Sequence, residues 1–404
     1  MAWNIGANDV ANAMGTSVGS GALTLVGAVI LAGIFEFVGA TLVGTHVTET
    51  IRKGIIEVSA FRPDGPFFGE NGPRILMIGM VAALLAAGLW LQIATTFGLP
   101  VSTTHSIIGA VIGFALVAVG VDAVNWGTVG KVVASWVISP ALGGAIAATM
   151  FVFVTRTVLR NEDPPAAIRR IGPHLIALVA FILILSFVYK ALKNVIEDPA
   201  WWMVILAAAV TAVVGFLIGK TWLRPKRRER ESEDFDYVER VFGRLQIATA
   251  CFVAFAHGAN DVANAVGPVA AVVQIHAFGD LPAKVPVPMW ILVLGGAGIV
   301  IGLATWGYKV IQTIGRKITE LTPSRGFSAE FGAATTVLVA SRLGMPVSTT
   351  HTLVGAVIGV GLARGIGALD LRVVGRIVNS WLITVPAGAA FSAVFFLALR
   401  AWLG

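Results

Sequence analysis

Gly6-Ala7-Asn8-Asp9-Val10-Ala11-Asn12-Ala13 is repeated without change as Gly258-Ala259-Asn260-Asp261-Val262-Ala263-Asn264-Ala265, 252 residues further along the chain. Both copies are set in sequence apolar enough for a bilayer interior. Amide and carboxylate side chains are costly there and persist where they line a bundle interior or a water-filled path. Their presence in both halves predicts one site assembled from two related repeats.

Composition sets the class. With 404 residues, 56% of them hydrophobic and 13% charged, and a mean hydropathy of +0.84, the chain reads as an all-α polytopic membrane protein of the plasma (inner) membrane and not as a soluble enzyme. Runs long enough to cross a hydrocarbon layer of about 30 Å lie at 23–43, 75–97, 129–154, 174–191, 201–222, 242–256, 289–314 and 373–399. Shorter apolar stretches at 101–119, 327–343 and 347–363 are broken by Gly or Pro and predict re-entrant helical hairpins. The single cysteine, Cys251, rules out an intramolecular disulfide framework. Close helix packing through the 46 glycines must hold the fold instead. Because the first polar motif follows Met1 so closely, no cleavable signal peptide is expected.

The repeat extends past the octapeptide. Leu99-Pro100-Val101-Ser102-Thr103-Thr104-His105 matches Met345-Pro346-Val347-Ser348-Thr349-Thr350-His351 at a spacing of 246, and Ser135-Trp136 matches Ser380-Trp381, with Pro140 and Pro386 following. Thr48-Glu49, near Arg52-Lys53, aligns with Thr319-Glu320, near Arg316-Lys317, at a spacing of 271. The expected organisation is a first membrane repeat with connecting helices at 1–222, a charged cytoplasmic linker at 223–240 and a second repeat at 241–404. The linker is rich in both signs, so it reads as a solvated loop obeying the positive-inside rule, with no nucleic-acid partner implied. An apolar helix at 243–257 leads into the second octapeptide, whereas only Met1 to Ile5 precede the first. Counted from the linker, basic residues at 52–74 and 156–170 fall inside and Lys131 outside. Arg364, Arg372 and Arg376 would then be inside, with Arg316, Lys317 and Arg325 outside. Arg364, Arg372 and Arg376 inside favour inverted repeats, in which the two halves cross the membrane in opposite senses, while Arg316, Lys317 and Arg325 outside argue mildly the other way unless the first two are buried near Glu320.

Pro100 followed by Ser102, Thr103 and Thr104 resembles a helix start, with Ser102 or Thr103 as N-cap and free backbone N–H groups beyond it. Helix N-termini attract anions. Two such tips, the second at Ser348, Thr349 and Thr350, can replace the hydration of a small tetrahedral oxyanion using neutral donors. Asn8 and Asn12, like Asn260 and Asn264, stand four residues apart and share a helix face, with Asp9 or Asp261 one step round. Their oxygens suit hard cations and their amides can donate to oxyanions. A carboxylate in lipid needs a proton, a cation or a base. Glu49 and Glu320 fit either a site role or an interfacial ion pair. His105 and His351 fit hydrogen-bonding struts better than proton carriers. With Asp9, Asp261, Glu49 and Glu320 but no central Lys or Arg, a bound anion requires co-bound cations, which is the logic of a cation-coupled symporter.

The duplicated octapeptide, the stretch Val47-Thr48-Glu49-Thr50-Ile51-Arg52-Lys53-Gly54-Ile55 and the paired Pro-Val-Ser-Thr-Thr-His segments resemble the inorganic phosphate transporter (PiT) family across nearly the whole chain. The resemblance implies inorganic phosphate as substrate, symport with Na⁺ or H⁺, inverted repeats with helical hairpins, and a homodimer in membrane lipid. It implies phosphate contacts from Asn8, Asp9, Ser102, Thr103, Thr104, Asn260, Asp261, Ser348, Thr349 and Thr350. For Na⁺ it implies Asp9, Asn12, Glu49, Ser102, Asp261, Asn264, Glu320 and Ser348. No other cofactor is expected.

Chemistry separates the alternatives. Phosphate can donate its proton to a carboxylate such as Asp9 or Asp261 whereas sulfate cannot, which favours phosphate. The abundance of Asn, Ser and Thr oxygens favours Na⁺ over H⁺ or a metal-phosphate complex. An intramembrane hydrolase built on Ser102 with His105 or Asp9 has no evident third orienting group. A passive anion channel has no use for coupling carboxylates.

Overall fold

The structure is a computed structural model and describes residues 1–44, 54–56, 58–62, 68–188, 200–223, 234–279, 287–342 and 347–403. It consists of helices α1 (Ala2–Asp9), α2 (Ala11–Gly19), α3 (Leu25–Val43), α4 (Gly72–Thr96), α5 (Thr103–Ala118), α6 (Trp126–Val154), α7 (Pro164–Ser186), α8 (Trp201–Trp222), α9 (Asp234–Asp261), α10 (Ala263–Phe278), α11 (Met289–Trp306), α12 (Tyr308–Gln312), α13 (Pro323–Arg342), α14 (Thr349–Arg364) and α15 (Leu371–Leu403). Eight helical stretches are long and apolar enough to span a membrane. Each contains or overlaps one of the eight apolar runs read from the sequence. Among the described residues there is no strand, only an isolated bridge between Ile56 and Val124. The outer faces carry exposed Ile30, Ile34, Val137, Leu294 and Leu382, as a lipid-facing surface requires.

Both octapeptides sit on a helix break. α1 ends at Asp9 and α2 starts at Ala11, while α9 ends at Asp261 and α10 starts at Ala263. Ala13 N–H donates to Val10 O at 3.1 Å, and Ala265 N–H donates to Val262 O at 3.0 Å. Such a tightened turn leaves carbonyls of the preceding turn short of a donor, and those groups and the flanking side chains become available to ligands.

The halves interleave instead of standing side by side. α1 packs on α11 and α9 on α3, while α5 packs on α15 and α14 on α6. Glycine makes these crossings possible. A Cβ on Gly6 would lie 1.9 Å from Ile299 O, and one on Gly258, its counterpart, 2.1 Å from Glu36 O. Without hydrophobic drive between helices in lipid, close backbone approach of this kind supplies the van der Waals contact that holds a bundle.

α4 and α5 form one hairpin and α13 and α14 another. Asn125 N–H donates to Ile55 O at 2.9 Å, so the chain returns beside the point where it left for the first hairpin. Asp370 N–H donates to Ile318 O at 3.0 Å, which does the same for the second. Arg74, at the base of the first hairpin, donates to Leu403 O at the C-terminal end of α15. The base of the second hairpin lies at the opposite, N-terminal end of that helix.

These contacts correct two expectations. Arg364 and Arg325 both pair with Glu320, so Arg364 and Arg372 share a face with Arg316 and Lys317 instead of lying opposite them. In the same way Ile55 and Asn125 lie on one face, not two. The cause is shared: each hairpin enters and leaves by one side, so counting it as a single crossing inverts every later loop. The hairpin bases also match Ile55 with Ile318, a spacing of 263, which sets Glu320 against Glu57 and not against Glu49. Both Glu49 and Glu57 lie outside the described residues. Finally, α9 starts at Asp234, so the last part of the expected linker is helical.

Candidate functional site

The two hairpin tips and the two helix breaks meet at one buried cluster. Ser102 caps α5, its hydroxyl accepting from His105 N–H at 3.2 Å, and Ser348 caps α14, accepting from His351 N–H at 3.2 Å. Capping orients each Ser oxygen into its own helix and leaves the following threonines to face the centre. Thr103 donates to Asp9 Oδ2 at 2.6 Å, and Thr350 donates to Asp9 Oδ1 at 3.1 Å. One carboxylate thus holds both tips.

The amides complete a crossed arrangement. Asn12 Nδ2 donates to Thr350 Oγ1 at 2.8 Å, and its counterpart Asn264 Nδ2 donates to Thr104 Oγ1 at 3.2 Å, so each broken helix holds the other half's hairpin. Asn8 serves its own half, donating to Thr95 Oγ1 at 2.9 Å and Leu99 O at 3.0 Å and accepting from Val101 N–H at 3.0 Å. Asn260 Nδ2 donates to Asp261 Oδ1 at 2.8 Å. Thr349 lines a cavity of about 60 Å³ with Asn12, His257 and Glu330.

Two further groups join the centre. His257 Nε2 lies 3.0 Å from Asp261 Oδ2 and 3.6 Å from Asp9 Oδ2, while its Nδ1 lies 3.1 Å from Glu36 Oε1. Asp9, Glu36, His257 and Asp261 are all buried. Ligand atoms of Asp9, His257 and Asp261 lie within 4.8 Å of one another, close enough to share a cation. With every acid ionised and the imidazole protonated, three carboxylates against one cation leave two negative charges among buried groups. Such charge has to be matched by bound cations or protons.

Beyond the small cavity, Glu330 forms a second polar knot. It accepts from Thr16 at 2.6 Å, Ser17 at 3.0 Å and Gln246 at 3.2 Å, and also from Thr249. All these donors are neutral.

Of the residues expected at the site, Asn8, Asp9, Asn12, Ser102, Thr103, Thr104, Asn260, Asp261, Asn264, Ser348, Thr349 and Thr350 come together around the breaks and tips. Glu320 does not. Its side chain is 80% exposed and pairs with Arg325 and Arg364 at 3.5 and 3.4 Å, an exposed ion pair made with residues other than the neighbouring Arg316-Lys317. Sequence reasoning missed Glu36, His257 and Glu330. Glu36 is the sole acid in an otherwise apolar span, a signal available under the same rule that singled out Asp9. His257 directly precedes the second octapeptide, where the first has Ile5.

A bundle of this kind, with buried acids and hydroxyls gathered at two helix breaks and two re-entrant tips, defines a multi-pass membrane transporter. The Phosphate transporter family model matches residues 5–392, and the chain belongs to that family. A Pyrococcus abyssi protein named as a phosphate permease is 51% identical over 397 residues, covering 98% of this chain and 94% of its own length. The chloroplastic inorganic phosphate transporter 2-1 of Arabidopsis thaliana is 44% identical over 417 residues, covering 98% of this chain and 70% of its own. Among solved structures, one described as the sodium-dependent phosphate transporter superposes with a TM-score of 0.86 at 46% identity, covering 99% of this chain and 96% of that one. The protein is a phosphate transporter of the membrane, not an enzyme.

Proposed function

We propose that the protein is a Na⁺-coupled phosphate symporter working by alternating access, built from two inverted repeats. One observation carries this reading: Asp9 accepts hydroxyls from both hairpin tips beside a second carboxylate, Asp261, reached through His257. An anion at the tips meets hydroxyl and N–H donors, but it also meets the negative charge of the acids. Na⁺ favours oxygen ligands, which Asp9, Asp261, Asn12, Asn264 and the Thr hydroxyls supply. Binding of Na⁺ next to the carboxylates turns a repulsive pocket into one that accepts phosphate. Coupling then follows from charge compensation, since neither ion crosses well without the other. The likeness to a sodium-dependent transporter supports the choice of ion. Inversion is supported by hairpin bases at opposite ends of α15.

A second reading replaces one Na⁺ with H⁺. It is favoured by His257, a titratable group in contact with three acids. Radiolabelled phosphate uptake into proteoliposomes under separate Na⁺ and H⁺ gradients, with sulfate as competitor, tests both. A Na⁺ gradient alone should drive accumulation, and sulfate should not compete. Accumulation under a H⁺ gradient without Na⁺ would overturn the first reading in favour of the second.

A further inference from the structure

Trp381, on α15, touches both hairpin tips. Its Nε1 donates to Pro100 O at 3.0 Å, within the first tip. Its ring stacks on His351 of the second tip, with centroids 4.0 Å apart and planes at 19°. His351 in turn meets His105 edge-on at 4.9 Å, so the three rings run from one tip to the other. Trp136, the counterpart in the first half, is arranged differently. It lies tilted, 5.7 Å from His105, and its buried indole N–H has no acceptor among the described residues.

The polar groups of the first tip show what this contact does. A carbonyl oxygen facing a bound anion repels it, and the turn between α4 and α5 exposes carbonyls that no helix satisfies. Leu99 O is tied off by Asn8 Nδ2 and Pro100 O by Trp381 Nε1. What the tip then presents to the centre is the Thr103 hydroxyl, bonded to Asp9, the Thr104 hydroxyl, bonded to Asn264, and the N-terminus of α5, which favours anions. We propose that Trp381 is a positioning residue of the phosphate site: its N–H holds the Pro100 carbonyl away from the anion while its stack on His351 keeps the second tip in register. The proposal rests on the phosphate reading above.

Trp381→Phe keeps an aromatic ring on His351 and deletes the N–H. In proteoliposomes its phosphate KM should rise by about 5- to 10-fold, the effect of one lost buried hydrogen bond. The maximal rate, and the Na⁺ concentration for half-maximal uptake at saturating phosphate, should stay at wild-type values, a split that general unfolding would not produce. Trp136→Phe should leave KM unchanged, since that N–H has no bond to lose. His351→Ala, which deletes the stack, should also raise KM, so the test survives even if Trp381→Phe is not recovered in the membrane. Equal KM values for Trp381→Phe and Trp136→Phe, or for His351→Ala and wild type, would overturn the proposal while wild-type uptake continues. Wild-type protein that takes up no phosphate under a Na⁺ gradient would end the underlying reading, and the proposal with it.

Discussion

Asp9→Asn removes one negative charge from the centre and weakens the contact with His257 Nε2 at 3.6 Å, while its hydrogen bonds largely survive. In the native site, Oδ1 accepts from Asn12 at 3.2 Å and Thr350 at 3.1 Å, and Oδ2 accepts from Thr103 at 2.6 Å. An amide oxygen in the Oδ1 position keeps the first two bonds, and the amide nitrogen then faces a Thr103 hydroxyl that can rotate to accept. The folding penalty is therefore about one hydrogen bond, ~1 kcal/mol. The effect on a cation is larger. At about 4 Å and an effective dielectric of about 20, a unit charge pair is worth roughly 4 kcal/mol, of which desolvation returns a part. A net loss of ~1.5–3 kcal/mol, typical of a hydrogen bond to a charged group, weakens cation binding by about 10- to 150-fold. Phosphate uptake measured against Na⁺ concentration should shift by that factor, and the curve should be less steep. The thermal midpoint of the detergent-solubilised protein should fall by only about 1 °C. An Asp9→Asn transporter with wild-type Na⁺ dependence would show that this carboxylate holds no coupling ion, and charge compensation at the tips would be refuted.

Other substitutions separate site from scaffold. Glu320→Gln should leave uptake unchanged and stability within about 1 kcal/mol, because exposed ion pairs contribute little, whereas Glu36→Gln, at a buried acid 3.1 Å from His257, should lose most uptake with the protein still folded; equal uptake by the two variants would contradict the geometry. Gly258→Ala would drive a Cβ to 2.1 Å from Glu36 O, forcing α3 and α9 apart at a cost of at least about 1–3 kcal/mol, which a thermal melt would detect; an unchanged midpoint would mean the crossing is looser than described. Thr350→Val preserves shape but deletes the hydroxyl shared by Asp9 and Asn12, and should raise phosphate KM by about 10-fold; an unchanged KM would remove the second tip from the site.

How much of this was legible in the sequence differs by element. The octapeptides could be placed at the site because Asn and Asp stand there in apolar surroundings, where such groups persist mainly along a bundle interior or a polar path, but a spacing of four read as one helix face did not show the breaks at Val10 and Val262. The tips could be placed because Pro followed by Ser-Thr-Thr starts a helix. Hairpin return was not legible as a crossing count: α4 is as apolar as a full span, and hydropathy does not record where a chain leaves the membrane. Only the bonds between Asn125 and Ile55 and between Asp370 and Ile318 do. Glu36 and His257 escaped notice because a search for duplicated motifs sees only what both halves share. Glu36 corresponds to no acid in α11, and His257 corresponds to Ile5.

That asymmetry bears on coupling. The scaffold is close to two-fold symmetric in its contacts, with Asn12 on Thr350 matched by Asn264 on Thr104 and Gly6 on Ile299 matched by Gly258 on Glu36. The two central carboxylates are not equivalent. Asp9 is bonded to threonines of both tips, so any cation beside it depends on both hairpins being closed on the site. Asp261 accepts from its neighbour Asn260 and lies against His257, whose ring also reaches Asp9 and Glu36 of the first half. On the proposed coupling, a cation beside Asp9 needs the geometry that a tip-bound phosphate also needs. Cation and anion would then be linked through the threonines. Saturating phosphate should tighten the apparent affinity for Na⁺, and reciprocal linkage requires that Na⁺ tighten phosphate by the same factor.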